Sequence, residues 1–356
     1  MHLPYSPQLP ISTLAACFNK TTTTYKFYWF LALLQAVEEG KEEVSKRELF
    51  AGMVAHAWYT VNYFHLSFGK WDLIQEAIGR LTSLESLTVE VDRATVVDRL
   101  VRSDRPETKG LLQHFDRNVP HWFLSPWYPS RPGEKESERQ RRIYASSQAV
   151  GSEALYALYP NHIRFNSSWI PYVVENVGVL KSYCYWHLAV FLQAKNPNVP
   201  DIPNKLIKPP HRSSLTRQRT HFWDLILNEY ETVPCIYTGK PLRVGSYAVE
   251  HFVPYSFVSH DLIWNLLPAD PSFNSRKGNK LPPLERYFRS FFSVQQQAYA
   301  FIREKSPRNQ FLEDYWTIFP YELPALQEQP FYEVIQPLVS IAARNGFEFM
   351  DGGVGK

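Results

Sequence analysis

The sequence contains little glycine and methionine for its 356 residues, with only 15 Gly and 3 Met. It has no GxGxxG, GxxxxGKS or GxxxxGKT motif, which argues against folds that hold a nucleotide phosphate on a glycine-rich loop. Long apolar runs are also missing, because the longest, residues 27–37, includes Gln35 and is too short to cross a bilayer. We therefore expect neither a nucleotide-binding enzyme of that kind nor a membrane protein.

Cysteine is scarce as well, and its placement bears on the cellular compartment. Cys17, Cys184 and Cys235 are far apart and odd in number, so they form neither a disulfide framework nor a CxxC pair. Such usage is typical of a reducing cytoplasm. The first residues, Met-His-Leu-Pro-Tyr, lack a basic segment before an apolar stretch, so no secretion signal is predicted. A cytoplasmic protein is the expectation.

The overall composition is that of a globular protein. Hydrophobic residues make up 44% of the chain and charged residues 21%, which excludes a disordered chain and leaves ample material for a core. The formal net charge of +3 neither demands nor forbids nucleic acid, so the placement of charge has to decide. With roughly 150 residues per domain as a guide, the length predicts two or three folding units.

Apolar periodicity predicts helices over most of the chain. Helices are expected at residues 25–34, after a threonine N-cap signal at 21–24, and at residues 46–64, 71–81 and 168–194. The last of these has apolar residues at three- and four-residue steps, which predicts a buried helix. Residues 116–142 contain four prolines before a charged run, which indicates an exposed loop that leads into a charged helix.

A basic, proline-rich stretch follows at residues 196–219. Proline prevents a continuous helix, and no acidic residue follows Asp201 to compensate the positive charge. Uncompensated positive charge attracts phosphate. The stretch is therefore interpreted as a linker that also contacts a nucleic-acid backbone, with a merely solvated linker as an equal alternative.

The spacing of apolar residues changes from a helical to a strand-like period over residues 234–282. Strands are predicted at residues 235–238 and 247–253, followed by a loop at 254–257 and a short helix that Asp270 opens. His260 and Asp261 offer a second pair of a base and an orienting acid, but polar loop residues usually face water, so both are expected to be solvated. An acid and a histidine at the end of the second strand make the order of elements distinctive.

The side chains of this segment suit phosphodiester chemistry. Glu250 supplies a hard oxygen ligand for a divalent cation, and Asn274 supplies an amide oxygen. His251 can hold a neutral ring near physiological pH and take a proton from water. Lys277, one helical turn after Asn274, is expected on the same face to contact phosphate. Metal, general base and cation around one phosphate make a phosphodiesterase site.

The run Glu250-His251-Phe-Val-Pro-Tyr-Ser-Phe257, followed by Asn265 and Asn274, resembles an HNH nuclease of the ββα-metal fold. The spacings, 14 residues from His251 to Asn265 and 9 from Asn265 to Asn274, are similar to those in RNA-guided CRISPR nucleases and their stand-alone prokaryotic relatives, in which asparagine replaces the last histidine. The flanking runs 237–240 and 276–280 fit the same pattern. The resemblance covers about residues 232–285.

The resemblance implies a role for each matched position. It implies His251 as the general base and Asn265 as the residue that braces the histidine loop. It implies Glu250 and Asn274 as ligands of one divalent metal ion, with magnesium expected and manganese as the alternative. The position of Glu250 more commonly holds Asp, and the zinc-binding cysteine pairs of many relatives are absent, so no structural zinc is expected. With the basic stretch, the expected nucleic-acid contacts are Lys205, Lys208, Arg212, Arg217, Arg219, Arg276 and Lys280.

We therefore expect a mainly α protein with a small α+β (ββα-metal) HNH nuclease module. The expected divisions are a helical N-terminal domain at 1–200, a basic linker with a short helix at 201–231, the module at 232–285 and a helical C-terminal region at 286–356. The resemblance implies a metal-dependent endonuclease that cuts DNA in prokaryotic defence or restriction, with a homodimer or two passes for double-strand breaks. Proteins of a defence operon are expected partners. A catalytically weak nucleic-acid-binding subunit of a larger complex and a nuclease acting on RNA remain open alternatives.

Overall fold

The computed structural model describes residues 2–207, 214–319 and 323–350. The chain forms two compact units, unit 1 being Met1–Pro197 with Ile202–Lys208 and unit 2 being Asn198–Asp201 with Pro209–Lys356. Helices predominate in the described part of both units, so the predicted fold class, mainly α with a small α+β module, is confirmed. The predicted division of the chain at residues 200, 231 and 285 stays a prediction.

Unit 1 is helical, with one small sheet. Its helices are α1 Ile11–Ala15, α2 Tyr25–Glu38, α3 Lys46–Asn62, α4 Ile74–Leu84, α5 Arg93–Arg102, α6 Pro106–Gln113, α7 Pro120–Phe123, α8 Glu136–Ser147 and α9 Trp169–Lys195. Its strands are β1 Glu43–Ser45, β2 Tyr156–Leu158 and β3 His162–Phe165. The third strand lies between the other two and is antiparallel to both.

The core of unit 1 forms around α2, which packs against α3 and α9. Every side chain from Phe27 to Leu34 is buried, as expected for a helix that is apolar on all sides. Trp29 and Tyr156 pair their polar atoms inside this core. The indole Nε1 of Trp29 donates to the hydroxyl of Tyr156 at 3.0 Å, and that hydroxyl donates to the Pro120 carbonyl at 2.6 Å.

The four helices predicted in unit 1 are confirmed as α2, α3, α4 and α9, with ends shifted by a few residues. The expectation that the last of them is buried is wrong for one face. Leu180, Cys184 and Leu188 are fully buried, whereas Val174 and Trp186 are 54% and 56% exposed. The helix is apolar on two sides, and only one of them packs against α2.

Two other expectations for unit 1 need correction. Residues 116–142 are not simply an exposed loop, because α7 begins at Pro120 and the side chain of Phe123 is fully buried. Thr24 lies at the N-cap position of α2, as the threonine run predicts, but its hydroxyl does not accept a helix N–H. It donates instead to Asp72 Oδ2 at 2.7 Å.

Unit 2 combines helices with two small antiparallel sheets. Its helices are α10 Thr216–Gln218, α11 Asp224–Glu229, α12 Tyr255–Val258, α13 Pro271–Lys277, α14 Leu284–Lys305, α15 Leu312–Trp316 and α16 Glu328–Arg344, with a π-helical turn at Arg219–Trp223 and a 3-10 turn at Ile263–Asn265. Its strands are β4 Val233–Pro234, β5 Pro241–Leu242, β6 Ala248–His251 and β7 Leu266–Ala269; β4 pairs with β5, and β6 pairs with β7. In the described part of the chain, no helix combines the length and the apolar character that a membrane span requires.

The strand order around His251 differs from the sequence-based expectation. Residues 235–238 form a turn rather than a strand, because the amide of Gly239 donates to the Cys235 carbonyl at 2.8 Å and Gly239 takes a φ of 70°. Residues 254–257, predicted as a loop, contribute to the helical turn α12. His251 therefore ends the first strand of the β6–β7 pair that precedes α13, not the second.

Candidate active site

The β6–β7 pair and α13 form the frame of the site. In the antiparallel register, Glu250 lies opposite Leu267 and His251 lies opposite Leu266. Asp270 caps α13, since its Oδ1 accepts from the amides of Ser272 and Phe273 at 2.9 and 3.2 Å. Pro271 follows at the first helical position, where its missing N–H costs nothing.

A cleft of about 330 Å³ opens on this frame. Glu250 and His251 line it from β6, and Asn274 lines it from α13. Gly278, with a φ of 52°, follows the last residue of α13 at the same cleft, where a Cβ atom would meet nothing within 4 Å. The predicted base and the two predicted metal ligands therefore line one cavity.

The His251 side chain is buried and is held on two sides. Its Nε2 lies 2.9 Å from Asp261 Oδ1, and its ring packs edge-to-face on Tyr255 with centroids 5.5 Å apart. The prediction that Asp261 faces water is wrong, because its side chain is only 18% exposed and contacts the predicted base. The sequence offers Asp261 as an orienting acid for His260, but it does not indicate the contact with His251.

Glu250 is buried and is paired on both carboxylate oxygens. The Tyr237 hydroxyl donates to Oε2 at 2.9 Å, and the Lys277 ammonium contacts Oε1. Burial raises the pKa of the Glu250 carboxyl, while the Lys277 ammonium and the Tyr237 hydroxyl act in the opposite direction. Tyr237 is a second contact that the sequence did not predict. Its ring is stacked on Phe273, with centroids 4.6 Å apart.

The predicted phosphate contact of Lys277 does not fit its position and needs correction. Only 3% of Lys277 is exposed, and its ammonium donates to the carbonyls of His251 at 2.8 Å and Phe252 at 3.3 Å. One helical turn does place it beyond Asn274. However, the last turn of α13 packs against β6, so Lys277 points toward the strand and its hydrogen bonds hold the end of β6 in place.

Asn265 is fully buried and binds the chain just after His251. Its Oδ1 accepts from the Val253 amide at 2.9 Å, and its Nδ2 donates to the Val253 carbonyl at 2.8 Å. Its own carbonyl accepts from the Phe252 amide at 2.8 Å. These three bonds hold the two residues that follow the histidine, which is the place where a bracing residue has to act.

Helices α14 and α15 support the far side of this loop. Gln295, fully buried in α14, donates from Nε2 to the Leu266 carbonyl at 2.5 Å. Asp314 of α15 accepts from the Ile263 amide at 2.7 Å. The ring of Phe252 is stacked on Phe291 of α14, with centroids 3.9 Å apart. The strand pair is thus held by helices that lie C-terminal to it in the chain.

The oxygen donors at the cleft suit a hard divalent cation. Asn274 is half-buried, and its side chain makes no hydrogen bond to the described residues. The Asn274 amide oxygen and a Glu250 oxygen, the latter already in contact with Tyr237 and Lys277, are donors of the kind that would hold magnesium. Among the described residues no cluster of three His, Cys, Asp or Glu side chains is placed to hold a metal. Cys235 is buried, and its Sγ accepts from the Asp270 amide at 3.4 Å.

The cations predicted to contact nucleic acid differ in their accessibility. Arg217 is exposed and donates to Gln310 Oε1 at 2.9 Å. Arg219 is half-buried, and its guanidinium donates to the Tyr247 carbonyl at 2.6 Å and lies over the Tyr247 ring. Arg276 is exposed in the last turn of α13, and Lys280 is half-buried three residues beyond the end of that helix.

Lys205 is the exception and needs correction as a nucleic-acid contact. It belongs to unit 1, is fully buried, and its ammonium lies 5.8 Å from the centroid of the Phe64 ring. Because its whole side chain is buried, Lys205 has no accessible charge to contact a phosphate. Lys208 and Arg212 lie outside the described residues.

Comparison with known proteins agrees with this site. The sequence model of a family described as HNH endonuclease matches residues 235–283, from the turn before β5 to the residues after α13. No curated protein and no solved structure matches the chain. The likeness to the RNA-guided CRISPR subtype stays a prediction. The chain contains an HNH endonuclease domain, formed by residues 235–283 of unit 2.

Proposed function

We propose that this protein is a metal-dependent endonuclease that hydrolyses DNA phosphodiester bonds at the cleft of unit 2. The observation that carries the proposal is the convergence of His251, Glu250 and Asn274 on one cavity inside the HNH endonuclease domain. The family implies a nuclease and a nucleic-acid substrate. A base, two oxygen ligands and room for a phosphate are what hydrolysis of that substrate requires.

His251 acts as the general base in this proposal. With Nε2 engaged by Asp261, the other ring nitrogen takes a proton from a water molecule. The water oxygen forms a bond to phosphorus as the bond from phosphorus to O3′ breaks, and O3′ takes a proton from solvent, which leaves a 5′-phosphate and a 3′-hydroxyl. The burial of His251 and its contact with Tyr255 keep the ring in one orientation while this happens.

Glu250 and Asn274 are the residues that would hold the divalent ion, for which we propose magnesium. When bound, such an ion offsets negative charge on the phosphate and on the leaving oxygen. Lys277 and Tyr237 keep the buried Glu250 carboxylate in place. In HNH nucleases the metal is a divalent cation, and hard oxygen donors favour magnesium or manganese over softer ions.

Asn265 and Lys277 are proposed as positioning residues. Asn265 holds the chain after His251 through Val253, and Lys277 holds the carbonyls of His251 and Phe252. Both act on the backbone that carries the base. Preorganised geometry of this kind contributes to rate without any contact with the substrate.

The proposed biological setting is prokaryotic defence or restriction in the cytoplasm. It is supported by the resemblance of the site residues to stand-alone prokaryotic HNH nucleases and by the scarcity of cysteine. One such site cuts one strand, so a double-strand break needs a second copy of the chain or a second event.

The test of the proposed activity is the conversion of supercoiled plasmid to nicked circles. Nicking should require magnesium or manganese, stop on addition of a chelator, and return when the metal is restored in excess. A structured RNA of similar length should be cut far more slowly. Binding of the plasmid without nicking at any metal concentration would contradict the activity, and equal cleavage of RNA would contradict the choice of DNA.

Replacing Asn274 with alanine should weaken the metal rather than the chemistry. The magnesium concentration for half-maximal nicking should rise by about 10-fold or more, and excess magnesium should recover part of the rate. The measurement is single-turnover nicking across a magnesium series. Asn176→Ala, which removes a half-buried helical asparagine from unit 1, is the matched control. An unchanged magnesium requirement in Asn274→Ala would remove this residue from the ligand set.

Neutralising the accessible cations of unit 2 should weaken DNA binding and flatten its salt dependence. The variant replaces Arg217, Arg219, Arg276 and Lys280 with glutamine. Its plot of log binding constant against log salt concentration should become shallower by about 0.9 for each phosphate that is no longer neutralised. The matched control replaces three arginines and one lysine that are exposed on unit 1, namely Arg80, Arg102, Arg164 and Lys109. Equal slopes for the two variants would show that the unit 2 cations do not follow the DNA backbone.

A further inference from the structure

We propose that Asp261 is a further positioning residue of the site, and that it fixes both the direction and the tautomer of the His251 ring. The expected effect on cleavage rests on the proposed nuclease activity. The contact between Asp261 and His251 does not, because it is a property of the folded protein.

The contact itself is direct and shielded from water. Asp261 Oδ1 lies 2.9 Å from His251 Nε2, with the two side chains only 18% and 6% exposed. A carboxylate accepts hydrogen bonds and donates none, so this distance places a proton on Nε2. A neutral imidazole carries one proton, and its lone pair is then on Nδ1.

The two partners are anchored independently of one another. His251 is held in β6 by its pairing with Leu266. Asp261 lies in the loop between α12 and the 3-10 turn, where its carbonyl accepts from Gln218 Nε2 at 3.3 Å. Two residues further on, the Ile263 amide donates to Asp314. Because each side of the contact has its own support, the hydrogen bond sets the angle of the ring without having to build the loop.

The consequence for the reaction follows from the proton balance. The proton of the attacking water passes to Nδ1, while the proton on Nε2 stays in its bond to Asp261. The imidazolium that results carries a positive charge next to a carboxylate, which stabilises it as the water oxygen bonds to phosphorus and the bond to O3′ breaks. An acid that orients a histidine base in this way is the third member that activated-nucleophile sites require.

The sequence alone favours a different interpretation of Asp261. An acidic residue after Ser259 and His260 in a polar loop is ordinarily solvated, and nothing in its spacing from His251 distinguishes it. Ser259 has a φ of 56°, which turns the chain at that point. The tertiary contact is therefore the only observation that assigns Asp261 a role.

The experiment compares Asp261→Asn, Asp261→Glu and Asp261→Ala in the full chain. Asparagine keeps the size and removes the charge, and its amide can donate to Nε2, which moves the ring proton to Nδ1. Single-turnover nicking by Asp261→Asn should fall by about 100-fold or more. DNA affinity and the magnesium requirement should stay unchanged, and Asp261→Glu should recover part of the rate. Asp104→Asn, which removes an exposed carboxylate from unit 1, should cut at the wild-type rate.

A second readout does not depend on cleavage. With nitrogen-15 in the 11 histidines, His251 is identified by the signal that His251→Ala lacks, and its shifts report which nitrogen carries the proton. We expect the Nε2-protonated form in the wild type and its loss in Asp261→Asn. A wild-type ring protonated on Nδ1, or Asp261→Asn cutting at the wild-type rate, would overturn the proposal.

The two proposals fail in distinguishable ways. If the wild type cuts neither DNA nor RNA but His251 is protonated on Nε2, the nuclease assignment fails and the Asp261 contact stands. If Asp261→Asn also loses DNA affinity and thermal stability in parallel with its rate, Asp261 is a structural residue and its positioning role is refuted. If that variant does not fold, the tautomer of the wild-type His251 ring tests the proposal: protonation on Nε2 supports it and protonation on Nδ1 refutes it.

Discussion

His251→Ala should cut DNA at least about 100-fold more slowly than the wild type while binding it with unchanged affinity, because it removes the proton acceptor and leaves the oxygen ligands and the cations in place. The measurement is single-turnover nicking across a magnesium series, with binding measured in parallel in the presence of chelator. Added magnesium should not recover the rate, in contrast to Asn274→Ala. That contrast separates the loss of a base from the loss of a ligand.

The matched control for this variant is His162→Ala. His162 lies in β3 of unit 1, where its side chain is 32% exposed near Glu43. Its loss removes a histidine from a strand without touching the cleft, so nicking should remain at the wild-type rate. A His251→Ala protein that nicks plasmid as fast as the wild type would end the assignment of the base.

The second large effect is expected from Lys277→Met, which leaves the buried Glu250 carboxylate without its cation. Removing one partner of a buried ion pair costs about 3–5 kcal/mol of stability, and here the two strand-end carbonyls lose their donor as well. The loss should appear as faster hydrogen exchange across β6 and β7, measured by mass spectrometry. Because the chain has two units, this local readout is preferable to a single unfolding transition.

The pH dependence of this variant has a definite sign. Burial already raises the pKa of Glu250, and Lys277 opposes that rise. Without the lysine, the pKa of Glu250 in the folded state lies still further above its value in the unfolded chain. At a pH above the unfolded-state value, Glu250 ionises more readily in the unfolded chain, so this carboxyl destabilises the folded state. The excess exchange should therefore shrink as the pH falls toward the ordinary carboxyl range.

Two further variants complete the test of the ion pair. Adding Glu250→Gln to Lys277→Met should restore much of the protection, because no buried charge is then left unpaired. Lys305→Met, which removes a lysine that is 55% exposed beside Glu304, should change exchange very little. Equal protection of β6 and β7 in Lys277→Met and the wild type would show that the Glu250–Lys277 ion pair does not stabilise this part of the fold.

The sequence was sufficient for the parts of this protein that depend on local pattern. Apolar periodicity located α2, α3, α4 and α9 because a helix repeats its faces every 3.6 residues, whatever the rest of the chain does. The spacing of His251, Asn265 and Asn274 was sufficient to predict an HNH endonuclease domain. A short motif can do this because a strand, a closing loop and a capped helix fix the separation of its members.

Sequence pattern was less reliable where burial depends on what packs against an element. The apolar stripe of α9 predicted a buried helix, but only the tertiary structure decided that its second side stays exposed. Lys205 lies in a basic, proline-rich stretch that predicts an exposed linker cation, but the core of unit 1 buries it fully. A residue's exposure is set by neighbours that are distant in sequence, and no local window contains them.

The same limit applies at the active site. By itself the sequence determined that a histidine, an acid and two asparagines occur at HNH spacing. Only the tertiary structure decided that Asp261 meets His251, that Tyr237 and Lys277 hold Glu250, and that Lys277 faces the frame rather than the cleft. The physical reason is that these contacts join elements through side-chain direction. Side-chain direction is fixed by the pairing of β6 with β7 and the packing of α13 against them, not by the number of residues in between.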